Sequence, residues 1–314
     1  MPSRELRDPA LRERFRTRDA AMRSVLDTAE KVLHHDASIL IAGESGTGKN
    51  HLAEAIAACS DRRERPFVHI DCASIPPDLF ETELFGHERG AFTDAHARRL
   101  GKLETAGSGV VYLDELAALT PQLQAKLLRV LEDRRFTRVG GSETVRFDAR
   151  VISSTSSDVR QLLSSGLLRP DLYYRLNVVA LVLPPLRERR ADIPLLAALF
   201  LRRSGRKGLR RFEPEAARLL TEHSWPGNVR ELRNVVERAA LIEDGPAITA
   251  GSLGLGEAEL VAAAARASWT LETLESYYIR QVLRVTQSNN TRAAEVLGIN
   301  RKTLREKRRK YGIE

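Results

Sequence analysis

Ile39-Leu40-Ile41-Ala42-Gly43-Glu44-Ser45-Gly46-Thr47-Gly48-Lys49-Asn50 decides how this chain folds. The four apolar residues predict a buried strand. The glycines predict a tight turn, and the pattern from Lys49 onward predicts a helix. Strand, glycine-rich turn and helix, in that order, form the context of a phosphate-binding loop. The turn aims several backbone N–H groups at one anion. The helix N-terminus adds partial positive charge at the same spot. Lys49 can then reach the outer phosphates of a nucleotide. Asn50 stands where a Ser or Thr hydroxyl commonly helps to hold Mg²⁺.

Outward from this loop, strand and helix patterns alternate. Ala20 to Leu33 has apolar residues at helical spacing. Strands are predicted over Ser38–Ala42, Phe67–Asp71, Val110–Leu113, Arg150–Thr155 and Val178–Leu183. Helices are predicted over Lys49–Cys59, Pro77–Phe85 and Pro121–Glu132 and around 158–176, with a hairpin over Phe136–Phe147 about Gly140-Gly141. Short apolar strands separated by helices imply an α/β fold with a parallel sheet covered on both faces. Beyond Pro184-Pro185 the strand signals stop, and residues 191–242 read as helices only.

Val110-Val111-Tyr112-Leu113-Asp114-Glu115 is a buried-strand pattern that ends in two carboxylates. Alone, such a pair is usually a solvated turn. Downstream of a phosphate loop, at the C-terminal end of a parallel strand, it borders the crevice where ligands bind. Asp114 is the candidate metal residue, for Mg²⁺. Glu115 is the candidate that orients and polarises an attacking water.

At this point the chain resembles the ATPase core of the sigma-54-dependent transcriptional activators, the bacterial enhancer-binding proteins, a branch of the AAA+ ATPases. The resemblance rests on Gly43–Lys49, Glu83-Leu84-Phe85-Gly86-His87-Glu88, Gly90-Ala91-Phe92-Thr93, Leu113-Asp114-Glu115, Asp171-Leu172-Tyr173-Tyr174-Arg175-Leu176-Asn177 and Trp225-Pro226-Gly227-Asn228-Val229-Arg230-Glu231-Leu232. It implies ATP as ligand, bound by Gly43, Glu44, Ser45, Gly46, Thr47, Gly48, Lys49, Asn50 and Asp114. Arg230 would reach phosphate from a helical lid. Arg169 and Arg175 match arginine fingers, which serve a neighbouring subunit's nucleotide, so the resemblance implies a ring-shaped, hexamer-like homo-oligomer. The loop Gly90, Ala91, Phe92, Thr93, Asp94 and Ala95 matches the loop that hydrolysis moves against the sigma factor. The family usually has a second glycine where Asp94 stands, a sensor Asn where Ser156 stands, and at Asp71 an Asn that restrains the catalytic Glu.

At the C-terminus, Asn289 to Glu314 carries eight Lys/Arg and three Asp/Glu. Thr291–Leu297 reads as a short helix, Gly298-Ile299-Asn300 as a tight turn, and Arg301–Lys307 as the start of a basic helix. Ala294, Val296, Leu297, Ile299 and Leu304 would form the core between them. This is the helix-turn-helix pattern. Arg301, Lys302, Thr303, Arg305 and Glu306 would face base edges. Arg292 and Lys307 join them as candidate DNA contacts, and Lys307 to Lys310 suit phosphates. The segment resembles the Fis-type DNA-binding domain.

The organisation expected is an arm over 1–18, solvated or a short helix, then an ATPase subdomain over 19–186, a helical lid over 187–243, a linker over 244–269 and a helix-turn-helix domain over 270–314. A net charge of +8 fits a polyanionic partner such as double-stranded DNA. No stretch has the length and apolarity of a membrane span, and Met1 to Arg18 is too charged for a signal peptide. Cys59 and Cys72 suit two ordinary thiols in a reducing cytoplasm. With few residues ahead of the core, control is expected from a separate partner, from expression level, or not at all. The function expected is an ATP-hydrolysing, DNA-binding activator that remodels sigma-54 RNA polymerase. The alternatives are a DNA-binding regulator that uses ATP as a structural ligand, and one acting on another polymerase form.

Overall fold

A computed structural model describes residues 10–93, 95–206, 208, 211–255, 270–286 and 289–313. Asp94, residues 1–9 of the expected arm and residues 256–269 of the expected linker lie outside the described residues. The chain divides into two compact units, Met1–Leu253 and Gly254–Glu314.

The first unit is built on five parallel strands: β1 (Ile39–Ala42), β2 (Phe67–Asp71), β3 (Val110–Asp114), β4 (Arg150–Thr155) and β5 (Val179–Val182), in the spatial order β2-β3-β4-β1-β5. All six residues of β4 are buried, as the central position requires, whereas Val178 and Val182 at the edge are exposed. The order brings the C-terminal ends of β1, β3 and β4 side by side. Ala42 pairs with Thr155, and Leu113 with Ser153.

Helices cover both faces. On one lie α1 (Ala10–Arg14), α2 (Ala20–Lys31) and α3 (Lys49–Cys59), contributing Leu11, Met22, Leu26, Leu52 and Ile56 to a core with Ile39, Ile41 and Tyr112. On the other lie α4 (Pro77–Phe85), α5 (Lys102–Ala106), α6 (Pro121–Asp133), α7 (Val159–Ser164) and α8 (Pro170–Leu176), with Phe80, Leu84, Leu127, Leu172 and Leu176 packed against Val111, Leu113 and Val151. Thr120 caps α6 by accepting from the Leu123 N–H, and Pro121 at the first helical position has no N–H to leave unpaired. The hairpin forms as Arg135–Thr137 against Thr144–Arg146.

Of the two forms open to the arm, its described part takes the short helix: α1 is helical, and Leu11 is buried because it and Phe15, four residues apart, line one face. Two expectations need correction. The second half of the unit is not purely helical. Beside α9 (Ile193–Arg203), α10 (Pro214–Glu222) and α11 (Asn228–Ile242), Arg211–Phe212 pairs in parallel with Ala247–Ile248. The start of the expected linker is therefore packed. Ala247 and Ile248 are buried, and α12 (Ala250–Leu253) buries Leu253 and touches α10 and α11. Two glycines and a proline masked that short apolar pair in the sequence.

The second unit contains α13 (Leu271–Val285), α14 (Asn290–Val296) and α15 (Arg301–Lys310). Its core is Ile279, Val282, Leu283, Ala293, Ala294 and Leu304, with Leu297 and Ile299 against it. Val296 is exposed rather than buried, and Ala293 takes the inward position. A helix as short as α14 has one inward face, and Ala293, Ala294 and Leu297 already fill it.

Candidate functional site

The loop expected to bind phosphate connects β1 to α3. Gly46 has φ +79°, and a Cβ there would lie 2.3 Å from the Gly227 carbonyl oxygen, so only glycine allows this close approach. Gly48, at φ +108°, turns the chain into α3. Lys49 is 6% exposed and donates from Nζ to the carbonyls of Gly43 (2.8 Å) and Glu44 (3.2 Å). Burial lowers its pKa, and the nearby carboxylates of Glu115 and Asp114 oppose that shift. Both strand-end acids thus act electrostatically on the loop lysine.

A turn from the helical half closes on the loop. Val229 and Arg230 donate their backbone N–H groups to the Gly46 carbonyl (3.0 and 3.3 Å), and Arg230 Nη1 donates to Ser45 Oγ (2.9 Å). Asn228 is fully buried, accepts from the Leu186 N–H and donates from Nδ2 to the Ser45 carbonyl and the Glu44 carboxylate. Arg187 grips Glu44 with two donors (2.6 and 2.8 Å), and its guanidinium holds that carboxyl below its ordinary range. Arg189 Nη2 donates to the Thr47 carbonyl. Only Arg230 of these lid contacts was legible as a site residue. Arg187, Arg189 and Asn228 reach the loop from at least 142 residues away in the chain, which spacing does not reveal.

Asp114 sits in a cage of donors. Tyr112 Oη lies 3.0 Å from Asp114 Oδ1 and 3.0 Å from Asn50 Oδ1. Ser154 Oγ donates to the same Asp114 oxygen at 2.5 Å, and His69 Nε2 is 3.5 Å from Oδ2. Burial works against ionisation of Asp114. Hydrogen bonds from His69, Ser154, Tyr112 and Asn50 outweigh it and push the pKa far below the usual carboxylate range. The pairing raises the His69 pKa in turn. Asp114 is therefore a fixed anion at neutral pH. Carboxylate and amide oxygens are hard donors, so Asp114 and Asn50 fit Mg²⁺.

Glu115 adopts a left-handed backbone (φ +60°), uncommon for a residue with a Cβ. Its carboxylate accepts from Ser156 Oγ (2.6 Å), the Ser156 N–H (3.1 Å) and Thr155 Oγ1 (3.3 Å). Asp71 instead accepts from the Ala73 N–H in its own turn. The hydrogen bonds to the Glu115 carboxylate thus come from Thr155 and Ser156 at the end of β4.

The remaining candidates lie apart from the loop. Arg169 is half-buried and donates twice to Asp171, while Arg175 donates to the Leu131 carbonyl. Among the described residues neither contacts the phosphate-binding loop. Phe92 is 43% exposed, with its ring edge-on to His87 at 4.9 Å. Hydrogen bonds from Gly90 to Ala95 and from Ala95 to Phe92 close this loop into a turn. The hairpin braces its stem: Glu88 donates to the Val139 carbonyl, Val139 to the Gly86 carbonyl, and buried Arg138 bonds Glu88, Glu104 and Glu143. A cavity of about 730 Å³ lies at the other end of the strands, lined by Asp36, Arg62, Arg134 and Arg150 among others. Arg62 and Arg150 there are committed to backbone carbonyls, which accounts for them structurally.

In the second unit, Asn300 caps α15 by accepting from the Thr303 N–H, and Arg292, Arg301, Lys302, Arg305 and Glu306 are exposed, with Thr303 half-buried. Lys307 differs from expectation. Its Nζ donates to Glu275 Oε1 at 2.5 Å, and Lys310 pairs with Glu272, so both tie α15 to α13. Arg309 remains exposed on the same helix.

The sigma-54 interaction domain family matches residues 15–182, the AAA+ ATPase lid domain residues 187–267, and the bacterial regulatory protein Fis family residues 270–311. The chain is 42% identical over 311 residues to the regulatory protein AtoC of Escherichia coli, covering 95% of this chain and 68% of that protein. It is 39% identical over 334 residues to the DNA-binding transcriptional regulator NtrC of Rhizobium meliloti, covering 94% and 69%. With ZraR of Salmonella typhimurium it shares 44% identity over 292 residues, 90% of this chain and 66% of that protein. The chain thus spans about two thirds of the length of these relatives. Crystal structures of NtrX from Brucella abortus match with a TM-score of 0.71. The one in complex with ATP is 37% identical, covering 95% of this chain and 69% of that one, and a further one is in complex with ADP. This chain belongs to the sigma-54-dependent transcriptional activators, with an AAA+ core, its helical lid and a Fis-type helix-turn-helix.

Proposed function

We propose that the chain hydrolyses ATP and couples hydrolysis to the opening of promoters by sigma-54 RNA polymerase, while its C-terminal helices hold duplex DNA. The observation that carries this reading is the convergence of Lys49, Asp114 and Glu115 at adjacent strand ends, beneath a turn that delivers Arg230 to the same loop. The loop amides and Lys49 hold the outer phosphates, and Arg230 reaches them from the lid. Asp114 and Asn50 would hold Mg²⁺, which when bound neutralises phosphate charge. Glu115 orients and polarises the attacking water after leaving Ser156. Arg169 and Arg175, which do not serve the loop of their own chain, act on a neighbour's nucleotide in a ring. An inserted guanidinium contributes on the order of 10³–10⁵ in rate. The Phe92-Thr93 turn meets the sigma factor, with the hairpin bracing its stem. Arg292, Arg301, Lys302, Thr303, Arg305 and Glu306 face the DNA.

The test is Glu115→Gln, which keeps size and removes the base. ATP binding should persist while turnover falls by about 100-fold or more. A second reading, ATP as a structural ligand, is favoured by the grip of Ser156 on Glu115. That reading requires no turnover in the unaltered protein, so the same assay separates the two.

A further inference from the structure

The sequence offered Asp114 as the metal residue and Asn50 as an unusual partner. Neither explains what orients them. The structure supplies that element in Tyr112. It is two residues before Asp114 on β3, so both side chains leave the same face of the strand. Its ring is fully buried, and only the hydroxyl reaches the strand end. A phenol carries its proton at neutral pH, so the hydroxyl is a donor. That proton faces two acceptors at equal distance, Asn50 Oδ1 and Asp114 Oδ1, both at 3.0 Å. Ser154, from the neighbouring strand, adds a second donor to Asp114 Oδ1 and accepts the Glu115 N–H at 3.2 Å.

The result is an asymmetric carboxylate. Two protein hydroxyls point at Asp114 Oδ1, the Tyr112 proton being shared with Asn50 Oδ1, whereas His69 Nε2 lies 3.5 Å from Oδ2. Donors gathered on one oxygen restrain rotation of the carboxylate and distinguish Oδ2 from Oδ1. Asn50 is likewise held by its oxygen, which links the second residue of α3 to the strand end.

We propose that Tyr112 is a positioning residue for the cation site, with Ser154 as its second donor. Through their hydroxyls they fix Asp114 Oδ1 and Asn50, so that Asp114 Oδ2 faces a divalent cation bound with the nucleotide. This inference rests on the ATP-and-Mg²⁺ reading given above. Groups that orient a metal ligand typically matter by about 10–100-fold in metal affinity, although they never touch the metal.

The experiment uses the full chain and a fluorescent ATP analogue. Nucleotide binding is measured first in EDTA and then across a Mg²⁺ titration, and direct Mn²⁺ binding to the nucleotide complex is followed by electron paramagnetic resonance. Tyr112→Phe removes one buried oxygen and keeps the ring. It should bind the analogue in EDTA as the unaltered protein does, and need about tenfold more Mg²⁺ or Mn²⁺ to reach half-saturation. A shift below about twofold overturns the proposal, because second-layer control would exceed that. If Tyr112→Phe does not bind nucleotide in EDTA, Ser154→Ala decides by the same two criteria. If the unaltered protein gains nothing from Mg²⁺, the cation reading itself is wrong and this inference falls with it. If the unaltered protein responds to Mg²⁺ and the deciding variant responds equally, only the inference falls.

Discussion

Replacing Arg138 with Met tests the joint between the hairpin and the Phe92 loop. The Arg138 side chain is 3% exposed and makes a two-pronged contact with Glu104 (2.6 and 2.9 Å), plus single contacts with Glu88 (2.9 Å) and Glu143 (2.6 Å). Methionine fills most of the volume but leaves Glu104 and Glu88 facing each other without their shared cation. Breaking a buried pair from one side costs about 3–5 kcal/mol. The lower end applies here, because Glu143 can turn to water and Arg98 still lies 3.6 Å from Glu104. About 3 kcal/mol in a unit of this size lowers Tm by about 6–12 °C. The pH dependence has a definite sign. The Arg138 hydrogen bond holds the Glu104 carboxyl below its ordinary value, so this stabilisation is fully present above the unfolded pKa, about 4.3, and is lost as pH falls through the depressed folded value. In Arg138→Met that contribution is already gone, so the gap in Tm should be full at pH 7 and narrow toward pH 3. Thermal melts by circular dichroism across this range provide the readout. A gap under about 2 °C at pH 7, or one that does not change with pH, would refute the reasoning.

Other outcomes follow from single contacts. Ser156→Ala removes the 2.6 Å hydroxyl contact to Glu115; ATP affinity should stay constant while kcat rises about fivefold, equivalent to about 1 kcal/mol, and an unchanged or lower kcat would show that Ser156 does not restrain Glu115. Gly46→Ala places a Cβ 2.3 Å from the Gly227 oxygen at φ +79°, so nucleotide affinity should fall about tenfold or more by fluorescence titration; retention of wild-type affinity would mean that the turn need not seat on the loop. Arg309→Ala, on the exposed side of α15, should reduce the slope of log affinity against log salt for duplex DNA by about 1; an unchanged slope would remove Arg309 from the phosphate contacts.

What the sequence disclosed follows from the range of the interactions involved. The phosphate loop, β3 and its acidic end are local: glycines, an apolar run and two carboxylates lie within a few consecutive residues, and all three took the expected form. The cage around Asp114 is not local. Asn50, His69, Tyr112 and Ser154 come from α3, β2, β3 and β4, and they converge only through the strand order. Asp71 shows the converse. It is next to Asp114 across the sheet, yet its side chain satisfies its own turn, leaving Thr155 and Ser156 to hold Glu115. Lys307 looked like one more cation in a basic run until the fold placed Glu275 beside it. Ala247-Ile248 is too short a pair to announce a strand, and Arg211–Phe212 provides its partner only after more than thirty intervening residues.

The measurement that bears most directly on the central claim is open-complex formation by sigma-54 RNA polymerase on a supercoiled promoter, with the purified protein and either ATP or a non-hydrolysable analogue. Opening with ATP alone is the expected result and would establish that hydrolysis drives the polymerase. Normal ATP turnover with no opening would contradict it, and would assign the Phe92-Thr93 turn to a different partner.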